Sequence, residues 1–263
     1  MREPNFRIGT AGWTIPASVA DAFPADGSSL ERYSGCFDCA EINSSFHRSH
    51  RANTWRRWGS AVPEGFRFAA KLSKEITHKR RLVDCDEILA GALAEMEALG
   101  AGLEVLLVQL PPSFAFDPAV ADPFFSGLRV RWDRQVACEP RHPSWFEPQA
   151  DSLLADRRVA RVAADPARVP AAAQPGGWRG LAYYRLHGSP VMYRSSYDDG
   201  RLEAHAERLA AGAVPTWCIF DNTASSAATG DALKLQRLLG WLSSPPPDGE
   251  GDHSKHDGGV LAQ

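Results

Sequence analysis

Eight short β-rich runs punctuate the chain, at residues 6–9, 39–43, 66–71, 104–109, 135–139, 159–163, 182–187 and 216–221. Several are almost wholly apolar, Val105-Leu106-Leu107-Val108 most clearly, as strands covered on both faces should be. Each is followed by enough chain for a helix. Eight such alternations predict an α/β fold, a single (β/α)8 TIM-type barrel with a parallel sheet. A doubly wound sheet is the alternative arrangement of the same units.

The punctuation between the runs agrees. Ser28-Ser29-Leu30-Glu31 reads as a capping box opening a helix. Asp84 or Asp86 is placed to cap a helix with Ile88, Leu89, Ala92, Leu93, Met96 and Leu99 on one face and Gly100 as its stop. Leu235, Leu238, Leu239 and Leu242 give the last helix a core stripe. Residues 169–177, rich in Pro, Ala and Gly, read as an irregular connection, which leaves the sixth unit without a helix. From residue 243 the composition turns to Ser, Pro, Gly and charged residues. The barrel domain is therefore expected over 1–242 and a disordered tail over 243–263.

Composition narrows the class. The chain has 263 residues, 44% hydrophobic and 23% charged, enough for one large core. No run approaches the roughly 18 apolar residues of a membrane span, and the first residues lack the apolar stretch of a signal peptide. A cytoplasmic protein with no membrane partner is expected. Five cysteines (Cys36, Cys39, Cys85, Cys138, Cys218), an odd number thinly spread, suit reduced thiols better than a disulfide framework. The net charge is −3, but the segment from His47 to Arg81 carries ten basic residues against Glu64 and Glu75. That block is +8 on an otherwise acidic chain and points to an anion.

In a parallel barrel the loops after the C-terminal strand ends build the site. Here those ends are rich in polar groups: Glu41 and Asn43, Lys71 and His78, Gln109, Glu139 with Arg141 and His142, Arg185 with His187, and Asn222. Charged groups beside an apolar barrel core lose hydration and need partners, so some of these must also serve as salt bridges.

The runs Ile8-Gly-Thr-Ala-Gly-Trp13, Glu41-Ile-Asn-Ser-Ser-Phe46, Phe66-Arg-Phe-Ala-Ala-Lys71, Ile76-Thr-His78, Val108-Gln-Leu-Pro-Pro112, Glu139-Pro-Arg-His-Pro-Ser-Trp145, Tyr184-Arg-Leu-His-Gly188 and Phe220-Asp-Asn222 closely resemble the YecE-like family of uncharacterised barrel proteins. They occur in order from about residue 6 to residue 242. The resemblance implies a TIM-type barrel whose strand-end residues form a cleft of unassigned activity. The family's fold has been likened to metal-dependent apurinic endonucleases and sugar isomerases, and nucleic-acid binding has been suggested for it. Two positions depart from the family pattern: His47 stands where an aromatic is usual, and Asp221-Asn222 replaces an Asn-Asn pair.

The residue types favour a hydrolase-like or lyase-like enzyme on a small anionic, phosphate-bearing substrate. Glu139, His187, Lys71 and Glu41 are the catalytic candidates, as tunable acids and bases. Trp13, Asn43, Phe46, His78, Gln109, Arg141, His142, Trp145, Arg185, Tyr197 and Asn222 are the substrate-binding candidates, with Arg141 offering a bidentate fork to an anion. No cofactor and no metal are expected: a metal would need ligands from Glu41, Glu139, His142, His187, Asp165 and Asp221, close beside Lys71 and Arg141. Nucleotide-binding glycine loops and the esterase elbow are absent from the sequence. The alternative is a non-catalytic nucleic-acid or polyanion binder. In it, Arg48, Arg51, Arg56 and Arg57 would meet phosphates while Trp55 and Trp58 stack on bases. Trp55 and Trp58 also have the spacing of one buried helix face.

Overall fold

The computed structural model describes residues 6–243. Its strands are β1 (Phe6–Ala11), β2 (Cys39–Ile42), β3 (Arg67–Lys71), β4 (Leu103–Gln109), β5 (Gln135–Glu139), β6 (Val159–Arg161), β7 (Ala163–Asp165), β8 (Gly176–Gly177), β9 (Ala182–Leu186) and β10 (Thr216–Phe220). They form one sheet in the order β7-β9-β10-β1-β2-β3-β4-β5-β6-β8, parallel except for β8. Apart from β7–β9, which skips β8, every other neighbour pair is either consecutive in the chain or closes the ring between β10 and β1.

β6 and β7 are two halves of one stave, interrupted at Val162. β6 pairs with β5 and β7 with β9. The Val162 N–H donates to the Cys138 carbonyl at 2.8 Å, so the interruption costs no backbone partner. The sheet is thus an eight-stave, nearly closed barrel, the expected fold. Its sixth unit has no α-helix among the described residues, only the 3₁₀ turn Pro170–Ala173 and the antiparallel β8. Poly-alanine flanked by two prolines cannot propagate a helix there.

Helices Ser29–Ser34, Ala52–Ser60, Asp86–Glu97, Pro118–Arg131, Pro148–Asp156, Asp199–Ala210 and Ala227–Ser243 follow the other staves. The first is opened by the expected box, with Ser28 Oγ accepting from Glu31 N and Glu31 Oε2 from Ser28 N. The cap expected before Asp86–Glu97 is corrected. Cys85 holds the cap position and makes no side-chain cap bond. Asp84 is left-handed at φ 48° and uses its carbonyl for Arg80, while Asp86 pairs with Arg131 at 3.0 Å. Leu235 and Leu239 are buried on the last helix and Leu238 packs against the same core. The Leu242 side chain and the tail over 244–263 lie outside what is described.

The strand period of two divides the apolar residues into two cores. Ile42, Phe68, Ala70, Leu106, Val108 and Phe220 meet the helices. Cys39, Ala69, Val105, Leu107, Ala137, Tyr183, Trp217 and Ile219 form a separate cluster, the filling of the barrel. Barrel closure is tight at β1 and β2, where a Cβ on Gly9 would collide with the Cys39 carbonyl. Four of the five thiols are buried, Cys36 is half-buried, and all are free. No described helix is long and apolar enough to cross a membrane.

Candidate functional site

One step further along five of the staves, the inner row turns from apolar to charged. Cys39 is followed two residues on by Glu41, Ala69 by Lys71, Ala137 by Glu139, Tyr183 by Arg185 and Ile219 by Asp221. Because strand side chains alternate, these groups cap the apolar filling at the C-terminal ends.

Arg185 occupies the centre and is fully buried. Its Nη2 reaches Glu41 Oε1 at 2.7 Å and Asp221 Oδ2 at 2.9 Å, its Nε reaches Glu41 Oε2 at 3.1 Å, and its Nη1 reaches Glu139 Oε2 at 2.5 Å. Tyr183 donates to Glu41 from below at 2.8 Å, and its ring stacks on Trp217. His187 bridges Glu139 and Asp221, with Nε2 2.8 Å from Glu139 Oε1 and Nδ1 3.1 Å from Asp221 Oδ2, the oxygen it shares with Arg185. Arg141 Nη2 closes the set 2.7 Å from Glu139 Oε1. Burial alone would pull the Glu139 carboxyl up, but Arg185, Arg141 and His187 outweigh it and hold the group well below the usual carboxylate range. Asp221 behaves likewise: burial raises it, while Arg185 and His187 hold it below its ordinary value.

Above this layer of paired charges lies the mouth. Lys71 is 7% exposed, its Nζ sits 4.2 Å over the Phe46 ring, and among the described residues no carboxylate oxygen comes within 4.0 Å of it. Burial, then the nearby Arg185, push its ammonium down to about 8, against the pull of Glu41, Glu139 and Asp221. Arg141 is also 7% exposed, and its buried Nε has no hydrogen-bond partner. His78 and Gln109 are half-buried at the same rim. The His78 ring lies edge-on to Phe46 at 4.9 Å, and burial with Lys71 and Arg141 nearby lowers its pKa. Asn43 donates weakly to Asp221 Oδ1 at 3.4 Å, and its own buried Oδ1 has no partner.

The structure therefore brings Glu41, Lys71, Glu139, Arg141, Arg185 and His187 together, with Asn43, Phe46, His78 and Gln109 near them. Other candidates are held elsewhere. Trp13 lies edge-on to Trp58 at 5.2 Å within the aromatic packing outside the sheet. Trp145 is fully buried and donates to the Phe114 carbonyl. His142 caps its own 3₁₀ turn through Ser144. Tyr197 receives the Gly188 N–H and donates to the Asp165 carbonyl. Asn222 donates to buried Asp231 at 2.7 Å and to the Ser195 carbonyl, tying the chain after β10 to the loop after β9.

Four contributors were not singled out from the sequence. Tyr183 had a usable signal, the i−2 position to Arg185 on one strand face. Asp221 was named only as a possible metal ligand and as a departure from a family pattern, not as a catalytic or substrate-binding candidate. Met192 and Tyr193, which approach Arg141 and His187 respectively (Arg141 Nη1 to Met192 Sδ 3.8 Å, ring to ring 5.4 Å), sit in a loop with no periodicity to betray them.

Among the described residues no three His, Cys, Asp or Glu groups are arranged to hold a metal ion. The guanidinium of Arg185 stands where the three carboxylates converge. In the basic segment, Arg48, Arg51, Arg56 and Arg57 are exposed. Trp55, however, is 1% exposed, and Trp58 is engaged edge-on by Trp13, His50 and Trp55.

Comparison with known proteins adds a family. A family model described as "Protein of unknown function DUF72" matches residues 7–251. The chain is 30% identical over 172 residues to the UPF0759 protein YecE of Escherichia coli K12, covering 63% of this chain and 61% of that protein. The chain thus spans less than two thirds of that relative's length. Crystal structures of DUF72 proteins from Enterococcus faecalis and Thermotoga maritima superpose with TM-scores of 0.74 and 0.72 at 20% and 21% identity. Each covers 89% of this chain, and the alignments take in 95% and 99% of those proteins, a likeness of fold.

Proposed function

The chain belongs to the DUF72 family of proteins of unknown function, and from that premise we propose that it is an enzyme, hydrolase-like or lyase-like, acting on a small anionic, phosphate-bearing substrate at the barrel mouth. The observation that carries this reading is the pair of incompletely partnered cations at the mouth. Glu41, Glu139 and Arg185 are at most 1% exposed and satisfy one another, whereas Lys71, Arg141 and Asp221 each keep 7% exposure. Asp221 is already bonded to Arg185 and His187, while among the described residues Lys71 has no carboxylate partner and Arg141 has an unpartnered Nε. An approaching anion finds positive charge still to be compensated there, and the guanidinium gains a hydrogen bond by donating its Nε–H to it. Charges at this depth are poorly screened, so each contact is worth more than at the surface.

The polyanion-binding alternative keeps exposed arginines on the helix Ala52–Ser60 and the turn before it. Its stacking platform is weak, because Trp55 and Trp58 spend their rings on packing. The small-anion reading is preferred for that reason.

Thermal unfolding with inorganic phosphate distinguishes the two. Saturating phosphate is expected to raise Tm by several degrees, as a ligand at 100 times its Kd adds about 2.7 kcal/mol. Arg141→Met is expected to abolish the shift and Arg56→Met with Arg57→Met to preserve it. The reverse dependence moves the anion site to the basic helix and overturns the reading.

A further inference from the structure

Within that reading, we propose that Lys71 is a nucleophile that forms an imine with the substrate, so that the substrates are small anionic aldehydes or ketones whose anionic group rests on Arg141. The proposal rests on the assignment of the barrel mouth as an anion-binding active site.

The chain has 24 arginines and five lysines. Among the described lysines, Lys79 and Lys234 are exposed and paired with acids, and Lys74 is half-buried. Lys71 alone of these is buried, on the inner face of a barrel strand end, with an aromatic face under its amine instead of a carboxylate. Arginine cannot lose a proton or attack a carbonyl; a desolvated lysine amine can do both. Burial already brings the group to about 8, so a useful fraction is neutral near physiological pH.

The step balances without a further reactant. The neutral amine attacks the carbonyl carbon, forming a C–N bond; the carbonyl oxygen takes up two protons and leaves as water. One of those protons comes from the amine, and the other from solvent at the open rim. The resulting protonated imine draws the electron pair of a cleaved bond at the adjacent carbon, the chemistry of a lyase. The charged and titratable groups around the amine are Arg185 from β9, Glu41 from β2, Glu139 from β5, Asp221 after β10, and Arg141 and His78 at the rim.

Reductive trapping tests this on the full chain. Dihydroxyacetone phosphate or neutral dihydroxyacetone is added with sodium borohydride, and adducts are located by peptide mass mapping. The expected result is labelling of Lys71 by the phosphate ester at least tenfold above Lys74 and Lys79, and its loss in Lys71→Met. Arg141→Met should lower the labelling by the phosphate ester to that by dihydroxyacetone. Labelling of Lys71 no stronger than Lys74 and Lys79, in a protein whose Tm still responds to phosphate through Arg141, overturns the nucleophile and leaves the anion site standing. Equal labelling of Lys71 by the charged and neutral ketones supports the nucleophile and removes Arg141 from substrate binding.

Discussion

Lys71 shows how one side chain trades stability for chemistry. Its ammonium titrates near 8 in the folded protein, against 10.5 for an unhindered lysine. Below about pH 8 both folded and unfolded chains hold the proton, and the fold bears the full cost of the buried charge. Between about 8 and 10.5 the folded protein releases a proton that the unfolded chain keeps, so stability rises with pH across that window. At about 1.4 kcal/mol per unit, the burden at pH 7 is at most ~3.5 kcal/mol. Lys71→Met should therefore stabilise the protein at pH 7 by about 1–3 kcal/mol in urea unfolding and flatten the rise above pH 8. A destabilised variant would mean that the amine is held by attraction to Glu41 and Glu139 instead of tolerated. Sites that keep such a cost are commonly functional.

At the scale of elements, the split sixth stave depends on a polar clasp. Asp151, on the helix Pro148–Asp156, accepts from Arg161 Nε at 3.0 Å and from the Gly177 N–H at 2.7 Å, fastening helix, β6 and β8 together. Burial raises this carboxyl, but the Gly177 N–H and Arg161 bring it below its ordinary value. Its contribution is present above the usual carboxylate pKa and disappears as pH falls through the folded value. Arg161 is 6% exposed, so its partner's loss leaves a nearly buried cation. Asp151→Ala is expected to cost about 2–4 kcal/mol near neutral pH, scaled down from a fully buried pair because Asp151 is partly exposed. Hydrogen exchange in the variant should open β6 and β8 before β3 or β4. Uniform protection across the sheet would show that the clasp is dispensable.

Across the whole molecule, the central cluster ties staves from opposite sides of the barrel to one guanidinium. Glu41, Glu139 and Asp221 come from β2, β5 and the end of β10, all bonded to Arg185 on β9. Removing that cation would strand three carboxylates in the barrel. Arg185→Met should cost at least about 3–5 kcal/mol in urea unfolding or prevent folding outright. In the unaltered protein, the depressed Glu139 and Asp221 contribute stability above about pH 4 that is lost as the pH falls further. A pH-independent unfolding midpoint between about pH 5 and pH 2.5 would exclude the cluster as a source of that stability.

The eight staves, the capping box at Ser28 and the row of polar groups at the strand ends were legible in the amino-acid order, because hydrophobic period and local hydrogen bonding act over a few residues. So was the irregular sixth connection, since proline forbids helix locally. What lay beyond reach was pairing at long separation. Nothing along the chain distinguishes Arg185 as the hub from Arg141 at the rim, or tells that Trp145 and Tyr197 serve the fold while Tyr193 approaches His187. Those assignments follow from barrel closure, which sets which inward side chains lie within about 3 Å of one another across the lumen. Burial then ranks them by depth. Glu41, Glu139 and Arg185 are sealed at 1% exposure or less, while Lys71, Arg141 and Asp221 keep slight contact with water at the mouth, because a charge stays dry only where its partners replace the lost hydration.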